Sequence, residues 1–317
     1  QETGIQGKIT YESSNPAVAT VDETGMVTIL AATEGTVTIT ARTEGTTNYS
    51  SAEASFTLTV AKKGITVSGI TAKDKYYDKT ADATLDYSGV QLDGKLGSDE
   101  LGVTATGVFE DANAGEGKTV EITGMTLTGA AAGNYFLVDS REQQTSTTAT
   151  IKKMPLKIVR ANGIKDKDYD GDAGLSLVTV LFEDVNQKQV GVNYSINAHF
   201  PDADADETNV DVTVDVKLVF GAEENYELTN SPYTIPNAAK INKIAPICPT
   251  GLTGYQGNAL STVTLPNGWT WKDEATVMSE TGDKEFSAHY AGDTNHKAGD
   301  YTVTVTVSAK RGASLGN

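Results

Sequence analysis

Three groups of side chains in this 317-residue chain have types and spacings that could do chemistry. Asp166-x-Asp168-x-Asp170-Gly171 has the alternating carboxylates and turn glycine with which the front of an EF-hand loop wraps calcium. Its twelfth position is Leu177, where a bidentate carboxylate is needed, so a strand and turn is the expected use of these residues. Asp202-Ala203-Asp204-Ala205-Asp206-Glu207 is the better calcium candidate, with Asp202, Asp204, Asp206 and Glu207 as ligands, set against the plainer reading of a solvated acidic loop. Trp269 and Trp271 are two apart and share a face if they lie in a strand. Exposed, the two indoles would stack on sugar rings as a glycan-binding platform; buried, they anchor a small core, the favoured reading where large side chains are scarce.

Enzyme readings find little support. The three histidines, His199, His289 and His296, form no His-Glu-x-x-His metal helix, and no nucleophile elbow or phosphate-cradling glycine loop is present. Carboxylate pairs are abundant, but glycosidase chemistry needs a defined separation across a cleft, and small β modules rarely enclose one. Cys248, between Ile247 and Pro249, reads as a half-buried inert thiol. As the sole cysteine it rules out an intrachain disulfide, so stability must come from burial. A Lys-Asn crosslink is conceivable in such a chain, though no spacing identifies its partners. No cofactor other than calcium is suggested.

The elements that position these residues are strands. Apolar residues alternate at Val37 and Ile39, at Phe56, Leu58 and Val60, and at Tyr301, Val303, Val305 and Val307, with threonine filling many intervening positions. Val210, Val212, Val214, Val216, Leu218 and Phe220 form the longest such run, predicting a strand with Asp211, Asp215 and Lys217 on its exposed face. Asp22 to Gly25 before Met26-Val27-Thr28-Ile29 predicts a hairpin. Long helical periodicity is missing, so the fold class is all-β. With 25 Lys+Arg against 42 Asp+Glu the net charge is −17, which excludes dense nucleic-acid binding and adsorption to anionic membranes. No apolar run approaches the ~20 residues of a membrane-spanning helix. A start at Gln1 is the expectation for a chain cut from a longer precursor.

Self-comparison sets the boundaries. Lys73-Asp74-Lys75-Tyr76-Tyr77-Asp78 recurs as Lys165-Asp166-Lys167-Asp168-Tyr169-Asp170, Asn134-Tyr135 as Asn225-Tyr226, and Ala149 to Lys153 loosely as Ala239 to Lys243, at a nearly constant offset of 90 to 92 residues. A tandem duplication follows, and with it four modules at 1–61, 62–153, 154–243 and 244–308, then a disordered tail at 309–317. Each module ends with asparagine followed by an aromatic residue or histidine, at Asn48-Tyr49, Asn134-Tyr135, Asn225-Tyr226 and Asn295-His296, and the tyrosines are expected to pack beneath a corner with the hydroxyl bonded to nearby backbone. The short linkers Ala61 to Gly64 and Asn242 to Pro246 favour a semi-rigid rod.

Several stretches resemble known families. Ser13-Ser14-Asn15-Pro16-Ala17-Val18-Ala19-Thr20-Val21-Asp22, with Gly25 to Thr28 and Gly35 to Ala41, resembles the bacterial immunoglobulin-like group 2 domain over residues 1–61, with the usual first strand missing or truncated. Tyr77-Asp78-Lys79-Thr80, Gly124 to Gly129 and Asn134-Tyr135 resemble the bacterial YDG-type repeat, with Lys79 where glycine is usual. Tyr169-Asp170-Gly171 resembles a second, diverged copy with Asp172 in place of threonine, and 245–308 looks like another short module of such arrays. The resemblance implies tandem small β-sandwiches, with a β-grasp-like variant adding a short helix as the alternative for the later modules. It also implies a non-catalytic stalk or adhesion segment, extracellular or on the bacterial surface. A monomer is expected, meeting a host or cell-surface glycan or protein. The alternative is a carbohydrate-binding accessory region of a larger extracellular enzyme.

Overall fold

The structure, a computed structural model, describes residues 8–31 and 36–310, so most of the expected tail lies outside the described residues. The chain divides into two compact units, Gln1–Met154 and Pro155–Asn317. Among the described residues every strand ladder joins residues within one of the stretches 8–61, 62–153, 154–243 and 244–308. Helical structure among the described residues is confined to three short turns, Ala132–Asn134, Ala222–Asn225 and Leu260–Thr262. A β-grasp plan needs a helix laid across its sheet, and none of these turns is long enough for that role.

In the first unit, Ile9–Ser13, Thr36–Thr43 and Ala52–Thr59 form an antiparallel sheet in that spatial order. The hairpin of Ala19–Val21 and Val27–Ile29 packs against it over Val18, Ala19, Val37, Ile39 and Val60. The Asp22 carboxylate closes this hairpin by accepting the amides of Thr24 and Met26 at 2.8 and 3.0 Å, and Gly25 takes the left-handed φ of 88° that the turn requires. Two expectations fail here. Phe56 is 51% exposed, because among the described residues it stands on an edge strand and the facing sheet has two strands to cover it. Tyr49 is 61% exposed, because its backbone pairs with Thr46 across a tight turn that directs the ring outward, so it forms no tyrosine corner.

Residues 63–152 form two facing sheets and a two-stranded ladder of Thr71–Ala72 with Leu85–Asp86. Lys63–Ser68 lies between Gln91–Asp93 and Tyr135–Leu137, and a five-stranded sheet runs in the order Lys75–Tyr76, Ser146–Lys152, Gly115–Thr128, Gly102–Phe109, Asp82–Ala83. Ile65 and Val67 from the first meet Val103 and Ile122 from the second, the alternating burial that a sandwich requires. The longest strand is Gly115–Thr128, with 14 residues, rather than the run beginning at Val210. Its alternation changes phase from Val120 and Ile122 to Met125 and Leu127 at Gly124, where φ is 61° and the register slips opposite Thr104 and Thr106.

The second unit begins with a pair of four-stranded sheets over residues 154–239. Val210–Leu218 buries Val212, Val214 and Val216 and exposes Asp211 and Lys217, while Asp215 is half-buried beside His199. The predicted run overreaches at its end. Phe220 has a φ of 55° and is 88% exposed, because the strand has already turned into Gly221 and the turn Ala222–Asn225. Residues 252–308 differ from a sandwich. They make one mixed sheet, ordered Leu252–Tyr255, Gly299–Ser308, Gly282–Tyr290, Trp269–Trp271, whose first pair is parallel. One face is covered by Leu260, Val263 and Met278 from the turns, and the other exposes Asp283, Glu285 and Ser287 beside Thr302, Thr304 and Thr306.

Candidate functional site

The repeated signature builds a turn around a lysine. Lys75–Tyr76 adds in parallel to Ser146–Lys152, with the Tyr77 amide bonded to the Lys152 carbonyl at 2.8 Å. The chain then turns through Lys79, whose φ is 72°, and the Asp78 carboxylate accepts the amide and hydroxyl of Thr80 at 2.9 and 2.8 Å. Into this turn the Lys75 ammonium donates to Asp78 Oδ1 at 2.8 Å, to the carbonyl and hydroxyl oxygens of Thr80 at 2.9 Å each, and to the Asp82 carbonyl at 3.0 Å. Partial burial alone would raise the Asp78 carboxyl, but the Lys75 ammonium and the Thr80 donors outweigh it and hold it below the ordinary range.

The matching stretch at residues 167–174 has the same arrangement. Lys167–Asp168 adds in parallel to Ile241–Asn242, Gly171 takes φ 82° where Lys79 stood, and Lys167 Nζ meets Asp170 Oδ1 at 2.8 Å and the carbonyls of Asp172 and Gly174 at 2.8 and 3.1 Å. The bond from the Lys167 ammonium holds the Asp170 carboxyl below its ordinary value. The carboxylates of the calcium-like string go to separate partners: Asp166 accepts the Lys240 amide at 3.1 Å, Asp168 the Asn242 side chain at 3.3 Å, and Asp170 the lysine. Asp74 in the first copy likewise accepts the Thr150 amide at 2.9 Å.

The acidic loop Asp202 to Glu207 lies where residues 154–243 meet residues 244–308. Asn295 reaches across, its Oδ1 accepting the Ala205 amide at 2.8 Å and its Nδ2 donating to Asp204 Oδ1 at 3.0 Å. Beside it the Lys297 amide donates to the Ile244 carbonyl at 2.7 Å and the Ile244 amide to the Asn295 carbonyl at 3.1 Å. The His296 ring packs edge-on against Tyr169 of the signature, centroids 5.8 Å apart. Lys243 pairs with Glu207 at 3.2 Å and donates to the Asp293 carbonyl. Asp202 is exposed, and its carboxylate accepts the Asp204 amide at 3.0 Å. Partial burial, and then the charges of Asp202 and Asp204, push the Asp206 carboxyl above its ordinary value. Among the described residues no three His, Cys, Asp or Glu side chains gather as a metal site.

The two indoles do share a face, turned inward. Trp269 is buried against Ala288, Val303, Tyr290 and Tyr301, and Trp271 is half-buried against Phe286 with its N–H donated to the Val263 carbonyl at 2.9 Å. Each histidine has a carboxylate partner: His199 with Asp215, His289 with Asp300, His296 with Asp293. The Tyr290 hydroxyl, with the Asn295 and His296 donors, holds the Asp293 carboxyl far below the usual range. Tyr135 is buried, with its hydroxyl bonded to Asp99 and accepting the Leu96 amide at 3.1 Å. The Tyr87 hydroxyl bonds backbone twice, donating to the Ala105 carbonyl at 3.0 Å and accepting the Ala105 amide at 2.9 Å, and no repeated motif had marked it. Lys75 and Lys167 were marked only as members of the repeat and Asn295 only as part of a closing Asn-His pair, and the task of each was missed. The Lys-x-x-Asp spacing shared by the two copies was the available signal for the lysines.

Solved structures aligned with this chain include domains 4–9 of the surface layer protein SbsC, at 13% identity, covering 96% of this chain and 58% of that one, with a TM-score of 0.19. Invasin, a bacterial integrin-binding protein, aligns at 13% identity over 96% of this chain and 74% of its own, with a TM-score of 0.28. Drosophila N-cadherin aligns at 11% identity over 98% and 68%, with a TM-score of 0.21. No curated protein matches. Residues 2–46 match the immunoglobulin-like domain of intimin and residues 61–147 match the YDG domain, so this chain carries an immunoglobulin-like domain followed by a YDG domain.

Proposed function

We propose that this chain is a non-catalytic spacer and adhesion segment of a bacterial cell-surface or secreted protein, built of β modules at 1–61, 62–153, 154–243 and 244–308. The match to the intimin immunoglobulin-like domain supports the surface placement, and no helix among the described residues is long and apolar enough to cross a membrane. The observation that carries the reading is the joint at Asn295. A spacer must hold successive modules at a fixed angle, and here one side chain bonds both an amide and a carboxylate of the preceding module while His296 packs on Tyr169. Bonds to a fixed backbone amide restrict rotation more than a flexible linker does. A host or cell-surface glycan or protein is the proposed partner class.

Spin labels test the joint. With Cys248→Ser as background, labels at Lys217→Cys and Ser287→Cys sit on exposed strand positions of the two modules. One narrow distance distribution is expected, broadened by Asn295→Ala. A broad distribution before that substitution would overturn the spacer reading.

A further inference from the structure

We infer that the turn after each of the short strands Lys75–Tyr76 and Lys167–Asp168 is a binding site for a primary ammonium cation, filled in place by the module's own lysine. The ligand is visible in both copies. Four oxygens surround Lys75 Nζ at 2.8 to 3.0 Å, and three surround Lys167 Nζ at 2.8 to 3.1 Å. These are N–H···O hydrogen-bond lengths, and since an ammonium has three protons to place, one is shared between two of the four oxygens at Lys75.

The cage suits this cation better than a metal. Each has a single carboxylate, with carbonyl or hydroxyl oxygens for the rest, whereas calcium takes about six to eight oxygens at roughly 2.3–2.6 Å. The carbonyls that matter, those of Thr80 and Asp82 and of Asp172 and Gly174, occupy matching places in the two turns, and both turns pass through a left-handed residue, Lys79 or Gly171. Cation selection is thus written mainly into backbone geometry. The second cage opens onto a cavity of about 420 Å³ bounded by Lys165, Asp166, Lys167, Asp170 and Asp172, a route for a small cation once the lysine side chain is removed.

Chemical rescue tests the assignment. In the full chain carrying Lys167→Ala, methylammonium titrated by NMR should shift the amides of Asp172 and Gly174 saturably, and the wild-type chain should show no such response. Tetramethylammonium, which has no N–H, and calcium should give no saturable shift. An equal response in the wild type, a response to tetramethylammonium, or none to methylammonium overturns the inference. Should Lys167→Ala fail to fold, the wild-type chain decides by amine acylation read by peptide mass spectrometry. Lys75 and Lys167 should react about ten-fold or more slowly than exposed Lys73 and Lys165, because reaction requires the turn to open. Equal rates would contradict the cage.

Discussion

At Lys75 the ammonium meets a carboxylate, two carbonyls and a hydroxyl; at Lys167 it meets a carboxylate and two carbonyls. The difference is one side chain, Thr80 in the first copy and Asp172 in the second. Thr80 accepts from the lysine and donates to Asp78, while the Asp172 carboxylate turns away to accept the Gly174 amide at 3.0 Å. The side chains of the two turns differ, while the backbone oxygens and the lysine occupy matching places. In both turns of this chain a lysine fills a turn that a left-handed residue, Lys79 or Gly171, makes possible.

Removing the lysine should have the largest effect on this comparison. Lys75→Met and Lys167→Met each leave oxygens that had been arranged around a cation, at side-chain exposures of only 19% and 17% for the two lysines. A loss of about 2 kcal/mol is expected in each module, greater at Lys75 with its extra acceptor, as read by hydrogen exchange of that module's amides. Equal losses would mean that the Thr80 hydroxyl adds nothing.

Exchanging the left-handed residues should have opposite signs in the two copies. Lys79→Gly relieves a strained φ of 72° and should stabilise the first module by up to about 1 kcal/mol, while Gly171→Lys should cost the second about the same. Thermal unfolding of each variant checks this. Thr80→Val removes only the hydroxyl and should cost about 1 kcal/mol, bringing the first turn toward the second. A null result would assign the contrast between the copies to Asp172 instead.

Acidification should weaken both turns. Asp78 and Asp170 have folded-state values below their unfolded ones, so their contribution is present above the ordinary aspartate range and is lost as pH falls through the lowered values. Asp78→Asn and Asp170→Asn should flatten that acid limb in melting curves taken from neutral pH downward.

The contrast between the copies also shows what a sequence reveals. Strict alternation marked Val303, Val305 and Val307, and Val212 to Val216, because each of these strands keeps one face inward throughout. It lost Gly115–Thr128 because the bulge at Gly124 reverses the phase, and it overreached to Phe220 because residue type cannot report that the backbone has turned. Phe56 satisfies the pattern and remains half open because covering depends on how many strands face it, a tertiary fact. The recurring Lys-x-x-Asp was legible as a repeat, yet the lysine's task was hidden, since a surface charge and a caged one look alike in one dimension. Asn295 was hidden more deeply. Its partner Ala205 lies 90 residues earlier, and no local pattern points there.

A double-mutant cycle on each turn is the most direct trial of the claim that the signature builds a lysine-filled cage. Lys75→Met with Asp78→Asn, and Lys167→Met with Asp170→Asn, are compared with their single variants by hydrogen exchange within the module concerned. Favourable coupling outside the error of the measurement is predicted in both turns, because each carboxylate acts through the ammonium it holds. Additive effects in both copies would show that lysine and aspartate stabilise the turn independently, and would contradict the account.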